Sequence, residues 1–120
     1  MANIMIVDDS KIVRDYHRDI LETLGHTVAE AENGMEALEK STMGRYDLYL
    51  VDINMPVMDG YTFVKEFRKR ENGKTPFIIM ISTEAEPEDM YTAFKEGANL
   101  YFVKPVRPDE MTVVLDVLTA

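Results

Sequence analysis

The 120-residue chain contains no cysteine and no tryptophan. Without thiols it has no disulfide, no thiolate zinc site and no cysteine nucleophile, which is compatible with the cytoplasmic location we expect. It also lacks any apolar stretch near the roughly 18–20 residues that cross a bilayer. The start, MANIMIVDDSK, has no basic segment before its apolar run. We therefore expect neither a signal peptide nor insertion into a membrane.

Positive charge is scarce, with 13 Lys and Arg residues against 22 Asp and Glu residues and a net charge of −9. This balance disfavours binding to nucleic acid or to anionic membranes, and it suits cations and basic partner surfaces. The composition, 46% hydrophobic and 29% charged, is typical of a globular protein and not of a disordered one. We expect residues 1–120 to form a single domain.

Short apolar runs alternate with longer amphipathic segments along the chain. Five runs predict strands, at residues 4–7, 27–29, 48–51, 77–81 and 100–103. Four of them are nearly continuous in apolar residues, as in strands that are covered on both faces. The run 27–29 is followed by the charged residue Glu30, so we place it at an edge of the sheet.

The segments between the strands have helical patterns with recognisable ends. In the first, Ile12, Tyr16, Ile20 and Leu24 recur every four residues. The later helix starts are indicated by a capping side chain or a proline, at Asn33, Asp59 or Thr62, Pro87 and Pro108. The helix ends are indicated at Gly25, 72–73 and Gly97. Five strand–helix repeats predict an α/β fold with a doubly wound parallel sheet and helices on both faces.

Polar residues follow four of the predicted strands directly. In chain order they are Asp8 and Asp9, Asp52, Ser82 and Thr83, and Lys104. Ligands bind beyond the carboxyl ends of the strands in open α/β sheets, so we expect these side chains to converge. Taken alone, each has an ordinary explanation as a turn, a helix cap or a surface charge. Their joint placement at successive strand ends favours a functional site.

Three carboxylates in one cleft repel one another, at a cost of about 4 kcal/mol per pair at ~4 Å and an effective dielectric constant near 20. The cluster therefore requires a cation or bound protons. Hard oxygen ligands without histidine or sulfur favour Mg²⁺, with Mn²⁺ as the alternative, over zinc. The ammonium of Lys104 suits a phosphoryl oxygen, and a carboxylate beside Mg²⁺ can attack phosphorus to form an acyl phosphate.

The segments IMIVDDS, LYLVDINMPVMDG, IIMISTEA and YFVKP resemble the receiver domain of two-component response regulators. The resemblance extends over the whole chain and is strongest for receivers of the chemotaxis type, which consist of a lone domain. Its most specific parts are D-x-N-M-P-x-M-D-G and the K-P pair after the fifth strand. It implies the flavodoxin-like strand order 2-1-3-4-5, and a cis bond between Lys104 and Pro105.

Carried over by position, the resemblance implies that Asp52 is the phosphorylated nucleophile. It implies that Asp9 binds Mg²⁺ directly and that Asp8 helps directly or through water. By the same resemblance, Asp52 and the backbone carbonyl of Asn54 would complete the set of metal ligands. Lys104 would contact the phosphoryl group. The core therefore ends in an acid because the third strand holds a nucleophile in place.

The resemblance also implies a switch. Ser82 would turn to hydrogen-bond the phosphoryl group, and Tyr101 would move inward. Thr83 stands where many receivers carry a smaller residue, so we expect it to slow phosphorylation or hydrolysis. The surface formed by helix 4, strand 5 and helix 5, around Tyr91 and Arg107, would bind the output partner.

The implied phosphoryl donor is a histidine kinase, for which small acyl phosphates can substitute. The protein would catalyse its own phosphorylation and dephosphorylation and would not be an enzyme acting on an external substrate. The implied output partner is a flagellar motor switch protein, another kinase or a phosphorelay protein. We expect a monomer, with dimerisation on phosphorylation as an alternative. His17 and His26 are interpreted as ordinary surface or helix residues without a role in phosphotransfer.

Two other functions share parts of this pattern. Phosphatases of the haloacid dehalogenase type use an aspartyl nucleophile with Mg²⁺, but they carry D-x-D after strand 1 and a cap insertion for which this chain leaves no room. A flavodoxin-like FMN carrier needs a phosphate loop rich in glycine and hydroxyl groups after strand 1, where DDSK would repel phosphate. Turnover of a phosphate ester would favour the first function, and a yellow protein would favour the second.

Overall fold

A computed structural model describes residues 1–119 of the chain. The strands are β1 (Asn3–Val7), β2 (Thr27–Ala31), β3 (Leu48–Asp52), β4 (Phe77–Ser82) and β5 (Leu100–Val103). The helices are α1 (Lys11–Thr23), α2 (Gly34–Ser41), α3 (Gly60–Arg68), α4 (Pro87–Glu96) and α5 (Pro108–Leu118). Across residues 1–119, no helix combines the length and apolar character that crossing a bilayer requires.

The five strands form one parallel sheet in the order β2-β1-β3-β4-β5. This confirms the predicted α/β fold, and the strand at 27–29 does lie at an edge. All five residues of the central strand β3 are buried. The apolar core lies on both sides of the sheet, with Tyr49, Phe63 and Phe67 on one side and Leu21 and Leu50 on the other. Burying each such side chain contributes roughly 1.5–3 kcal/mol, so both faces of the sheet are held firmly.

Most predicted helix ends are confirmed. Asn33 caps α2 by accepting a hydrogen bond from the backbone N–H of Glu36 at 2.9 Å. Asp59 caps α3 in the same way at 2.8 Å, and prolines open α4 and α5. The end of α3 was predicted too late, since the helix stops at Arg68 and 72–73 belong to a separate 3₁₀ turn.

The face of helix α1 that packs on the sheet is not the face predicted from the apolar residues at four-residue spacing. Ile12 is 82% exposed and Tyr16 is also exposed, whereas Arg14, His17 and Leu21 are buried. A three- and four-residue spacing follows one helix face, but a strict four-residue spacing drifts around the helix. His17 lies on helix α1, as one of the two interpretations given for it holds, but it is not a surface residue, because only 2% of it is exposed.

The second histidine, His26, is partly buried in the loop before β2. Its Nδ1 accepts a hydrogen bond from the backbone N–H of Ala2 at 3.0 Å. This contact helps to hold the start of β1 to the segment that leads into β2. It is an ordinary structural role.

Candidate functional site

Asp52 is the last residue of the central strand β3. Its neighbours on both sides are strands, β1 and β4, and the next residue, Ile53, donates from its backbone N–H to the carbonyl of Ile81 at 3.2 Å. Only 4% of Asp52 is exposed. A carboxylate in this position has little freedom, because paired strands flank it and its own backbone lies in the sheet.

Asp8 and Asp9 follow β1 directly and meet Asp52 at the carboxyl edge of the sheet. One carboxylate oxygen from each of the three residues lies within 4.8 Å of the others. Asp8 is fully buried, and its Oδ1 accepts a hydrogen bond from the N–H of Ser10 at 2.9 Å. Asp9 is exposed. The predicted convergence of these acids is therefore present in the structure.

Lys104 supplies the positive charge that faces this cluster. Its Nζ lies 3.0 Å from Oδ1 of Asp52 and 3.4 Å from Oδ2 of Asp8. Three carboxylates against one ammonium leave an excess of two negative charges when all four groups are ionised. The number and the hard-oxygen character of these donors fit a divalent cation such as Mg²⁺ or Mn²⁺.

The charges at the site shift the pKa of Asp52 and that of Lys104 upward. Burial raises the pKa of Asp52 and the charge of Asp8 adds to this effect, which together outweigh the contact with Lys104. Burial by itself would lower the pKa of Lys104, but its hydrogen bond and ion pair with Asp52 raise it. Lys104 therefore remains charged, while Asp52 carries an unfavourable charge that a second cation would stabilise.

The loop 53–59 folds back over the end of β3. The backbone N–H of Gly60 donates to the carbonyl of Ile53 at 2.8 Å. A Cβ on Gly60 would overlap the backbone oxygen of Asp52, so only glycine allows this close approach. Asn54 is exposed within the loop, two residues beyond Asp52.

The same loop contains a strained turn. The N–H of Met58 donates to the carbonyl of Pro56 at 2.7 Å, and Val57 between them has a φ of 68°. A γ-turn with a positive φ is rare and strained, and a β-branched residue is especially unsuited to it. Val57 is 79% exposed, so no packing of its side chain offsets this strain.

Ser82 and Tyr101 both bind the backbone of Glu84. Ser82, buried at the end of β4, accepts a hydrogen bond from the N–H of Glu84 at 3.0 Å. The hydroxyl of Tyr101 donates to the carbonyl of Glu84 at 2.8 Å. Thr83 is exposed and lines a groove beside Lys104. The two residues predicted to form a switch are therefore joined through one neighbouring residue.

Helix α1 also contributes to the site, which the sequence pattern did not predict. Arg14 is only 7% exposed, and its Nη1 donates to the backbone carbonyl of Asp8 at 2.8 Å. Its Nε pairs with Glu30 of β2 at 2.8 Å. The available signal was a charged residue six positions after Asp8 on a helix that must pack against the sheet. Tyr16 belongs to the apolar pattern of α1 in the sequence, but in the structure its hydroxyl donates to the backbone carbonyl of Val106 at 2.9 Å.

Two cavities differ in their relation to this site. A groove of about 460 Å³ runs between α1 and the segment 104–106 and reaches Thr83 and Lys104. A cavity of about 510 Å³ lies at the opposite edge of the sheet, beside Tyr46 and Tyr49. The second cavity is lined by none of the predicted site residues.

Comparison with known proteins agrees with this geometry. The chain is 39% identical to the chemotaxis protein CheY of Halobacterium salinarum over 118 residues, which cover 98% of this chain and 97% of that protein. The structure of chemotaxis protein CheY4 of Vibrio cholerae is similar with a TM-score of 0.92, at 36% identity over 98% of each chain.

A second similar structure is the receiver domain of a sensor histidine kinase from Pseudomonas aeruginosa, with a magnesium ion coordinated in its active site cleft. Its TM-score is 0.90 at 29% identity, covering 99% of this chain and 98% of that one. The family model of the response regulator receiver domain matches residues 4–116 of the chain. By fold, by site geometry and by this match, the chain belongs to the family of response regulator receiver domains, the signalling domains of two-component systems.

Proposed function

We propose that Asp52 accepts a phosphoryl group in a Mg²⁺-dependent reaction and that its phosphorylation switches the binding of a partner protein. The observation that carries this proposal is the position of Asp52, which is nearly buried at the end of β3. Two further carboxylates lie within 4.8 Å and the Lys104 ammonium lies 3.0 Å away. A general surface acid would have neither this burial nor these partners.

The proposed step is a transfer from a phosphohistidine of a histidine kinase. A carboxylate oxygen of Asp52 forms the new O–P bond while the N–P bond of the donor breaks, and the bonding electron pair returns to the imidazole nitrogen, which takes up a proton. Lys104 already contacts Oδ1 of Asp52. It is therefore placed to bind a phosphoryl oxygen as charge moves onto that group.

Asp8, Asp9 and Asp52, with the backbone carbonyl of Asn54, would hold the metal ion. When bound, Mg²⁺ would neutralise charge on the phosphoryl oxygens. The similar receiver domain from Pseudomonas aeruginosa, with magnesium in its cleft, supports this assignment. Asp8 is held on two sides, through Ser10 and through its contact with Lys104, so it offers a ligand of fixed orientation.

Hydrolysis resets the proposed switch. Water attacks phosphorus and the O–P bond breaks, which releases inorganic phosphate and restores the Asp52 carboxylate. Thr83 is exposed beside Lys104 in the groove that leads to this edge. Its side chain would restrict the approach of water or donor. The reaction acts on the protein itself, and in this proposal the domain transmits a signal and does not turn over an external substrate.

The output depends on Ser82 and Tyr101. A phosphoryl group on Asp52 offers acceptor oxygens to which Ser82 can donate, and that contact exists only in the phosphorylated state. Because Ser82 and Tyr101 both form hydrogen bonds with the backbone of Glu84, a movement of one side chain changes the hydrogen bond of the other. The exposed side chains of Tyr91 on α4 and Val103 on β5 lie on the surface that would report this change.

The pathway we propose is chemotaxis or a similar two-component pathway in the cytoplasm. The likeness to CheY proteins over nearly their whole length supports it. The output partner would be a flagellar motor switch protein or a phosphorelay protein. The domain would act as a monomer, with dimerisation on phosphorylation as the alternative.

The proposal is tested by intact-mass analysis after incubation with acetyl phosphate and Mg²⁺. We expect a mass increase of one phosphoryl group in the wild type and in Asp15→Asn, a control at an exposed acid of α1. We expect no increase in Asp52→Asn or after the divalent cation is chelated. Labelling of Asp52→Asn at the wild-type level would show that another residue is the acceptor.

A further inference from the structure

The segment between β5 and α5 carries Lys104 but has few backbone hydrogen bonds of its own. The N–H of Lys104 donates to the carbonyl of Ser82 at 2.7 Å, which closes the last pair of the sheet. Pro105 has no N–H to donate. Regular bonding resumes in the first turn of α5, where the N–H of Met111 donates to the carbonyl of Arg107 at 3.2 Å. The position of this segment must therefore be fixed mainly from outside.

Tyr16 of α1 provides such a contact. Its hydroxyl donates to the carbonyl of Val106 at 2.9 Å, between residues that are 90 positions apart in the chain. The side chain of Val106 is fully buried, so Val106 is held both by the packing of its side chain and by the hydrogen bond to its carbonyl. The hydrogen bond lies two residues from Lys104. Tyr16 thus joins α1 to the segment that supplies the positive charge of the site.

The same helix also holds the acidic side of the site. Arg14, less than one turn before Tyr16, donates to the backbone carbonyl of Asp8 at 2.8 Å. Asp8 and Lys104 face each other at 3.4 Å. Because α1 is rigid over this distance, its two contacts fix the spacing between the acids and the ammonium group. The site is therefore supported from one helix.

His17 completes the contact between α1 and this segment. Its ring lies edge-on to that of Tyr16 at a centroid distance of 5.2 Å, and it lines the groove with Pro105 and Val106. Burial and the charge of Lys104 lower the pKa of His17 to about 4, so the ring is neutral at pH 7. A neutral ring fills the space without placing a second cation beside Lys104.

We propose that Tyr16 is a positioning residue for Lys104, and that its hydroxyl sets how well the Lys104 ammonium reaches the phosphoryl group on Asp52. The inference rests on the proposed function, because it assigns a role within that reaction. Loss of the hydroxyl frees the carbonyl of Val106 and lets the segment 104–106 relax. Asp8 can lose its contact with Lys104 and still stay in place, because Arg14 holds its backbone carbonyl and the N–H of Ser10 holds its Oδ1.

The test is the rate constant for phosphorylation by acetyl phosphate at saturating Mg²⁺. We expect Tyr16→Phe to lower it about fivefold, the equivalent of one hydrogen bond of about 1 kcal/mol. The Mg²⁺ affinity should not change. Tyr46→Phe, at the opposite edge of the sheet, is the matched control and should behave as the wild type. Tyr16→Leu provides a second variant without the hydroxyl, and urea unfolding verifies that each variant is folded.

A double-mutant cycle separates positioning of Lys104 from general loosening of the structure. In a Lys104→Ala background, Tyr16→Phe should cause no further loss of rate, because the group it positions is gone. A full fivefold loss in that background would overturn the inference, as would a wild-type rate in Tyr16→Phe or a parallel loss of Mg²⁺ affinity. Absence of labelling in the wild type would instead refute the proposed function.

Discussion

Replacing His17 with leucine should stabilise the protein, and increasingly so as the pH falls. His17 is almost completely buried, and within residues 1–119 neither of its ring nitrogens has a hydrogen-bond partner. A buried polar group without a partner costs about 1–3 kcal/mol, whereas leucine of similar size carries no such group. At pH 7 we expect His17→Leu to raise the free energy of unfolding by about 1–2 kcal/mol.

The pH dependence follows from the lowered pKa of His17, which is about 4 in the folded protein against 6.5 for an ordinary histidine. Burial is the main cause, and the charge of Lys104 from the segment after β5 adds to it. Between these pKa values the unfolded chain binds more protons than the folded one, so stability falls as the pH falls through this window. From pH 7 to pH 5 the linkage relation gives a loss of about 2 kcal/mol. Leucine removes this loss.

The assay is urea unfolding of the wild type and His17→Leu at several pH values from 7 to 5, followed by far-UV circular dichroism. Other ionisable groups are common to both proteins, so the difference between the two curves isolates His17. His26→Gln is the comparison, because burial also lowers the pKa of His26, but His26 is more exposed and its Nδ1 has a partner, so its substitution should change the pH dependence less than His17→Leu. If the curves of wild type and His17→Leu run parallel with pH, or if leucine destabilises at pH 7, the reasoning is refuted.

Three further predictions concern other positions. Val57→Gly should raise the free energy of unfolding by about 1 kcal/mol, because relief of the strained turn exceeds the entropy that glycine adds to the unfolded chain. A lower free energy of unfolding for this variant in urea would contradict this prediction. Arg68→Met should lower the free energy of unfolding by about 3 kcal/mol, since the guanidinium donates to three backbone carbonyls and one side-chain oxygen. The control Lys65→Met, on the same helix, should have little effect on the free energy of unfolding in the same assay. Thr83→Ala should speed phosphorylation or hydrolysis severalfold in single-turnover measurements, and unchanged rates for both steps would end the idea that Thr83 restricts access.

The fold was predictable because periodicity and burial agree along most of the chain. The apolar runs of β1, β3 and β4 are too short for buried helices, so their length indicates strands. The prolines and capping residues locate the helix starts. The acids were predictable for the same reason, since each follows a strand and parallel strands present their ends at one edge. Asp52 is the clearest case, because its buried strand ends directly in a charge.

The supporting contacts were not predictable from the pattern alone. Arg14 and His17 lie on the buried face of α1, where charge or polarity argues against burial until a specific partner or neighbour is known. Arg14 is accommodated because Glu30 and the carbonyl of Asp8 accept its hydrogen bonds. Tyr16 contacts a residue 90 positions away. Pairings of this kind depend on the three-dimensional arrangement and leave no periodic signal.

The peptide of Glu84 has a thermodynamic consequence for whatever binds near Tyr101. Ser82 holds its N–H and Tyr101 holds its carbonyl, so the acidic edge and the outer surface share one small structural unit. Coupling between two sites is reciprocal. A partner protein that binds more tightly when Asp52 is phosphorylated must, by the same factor, shift the phosphorylation equilibrium of Asp52 toward the phosphorylated form. The concentration of that partner protein would therefore help to set the level of the signal.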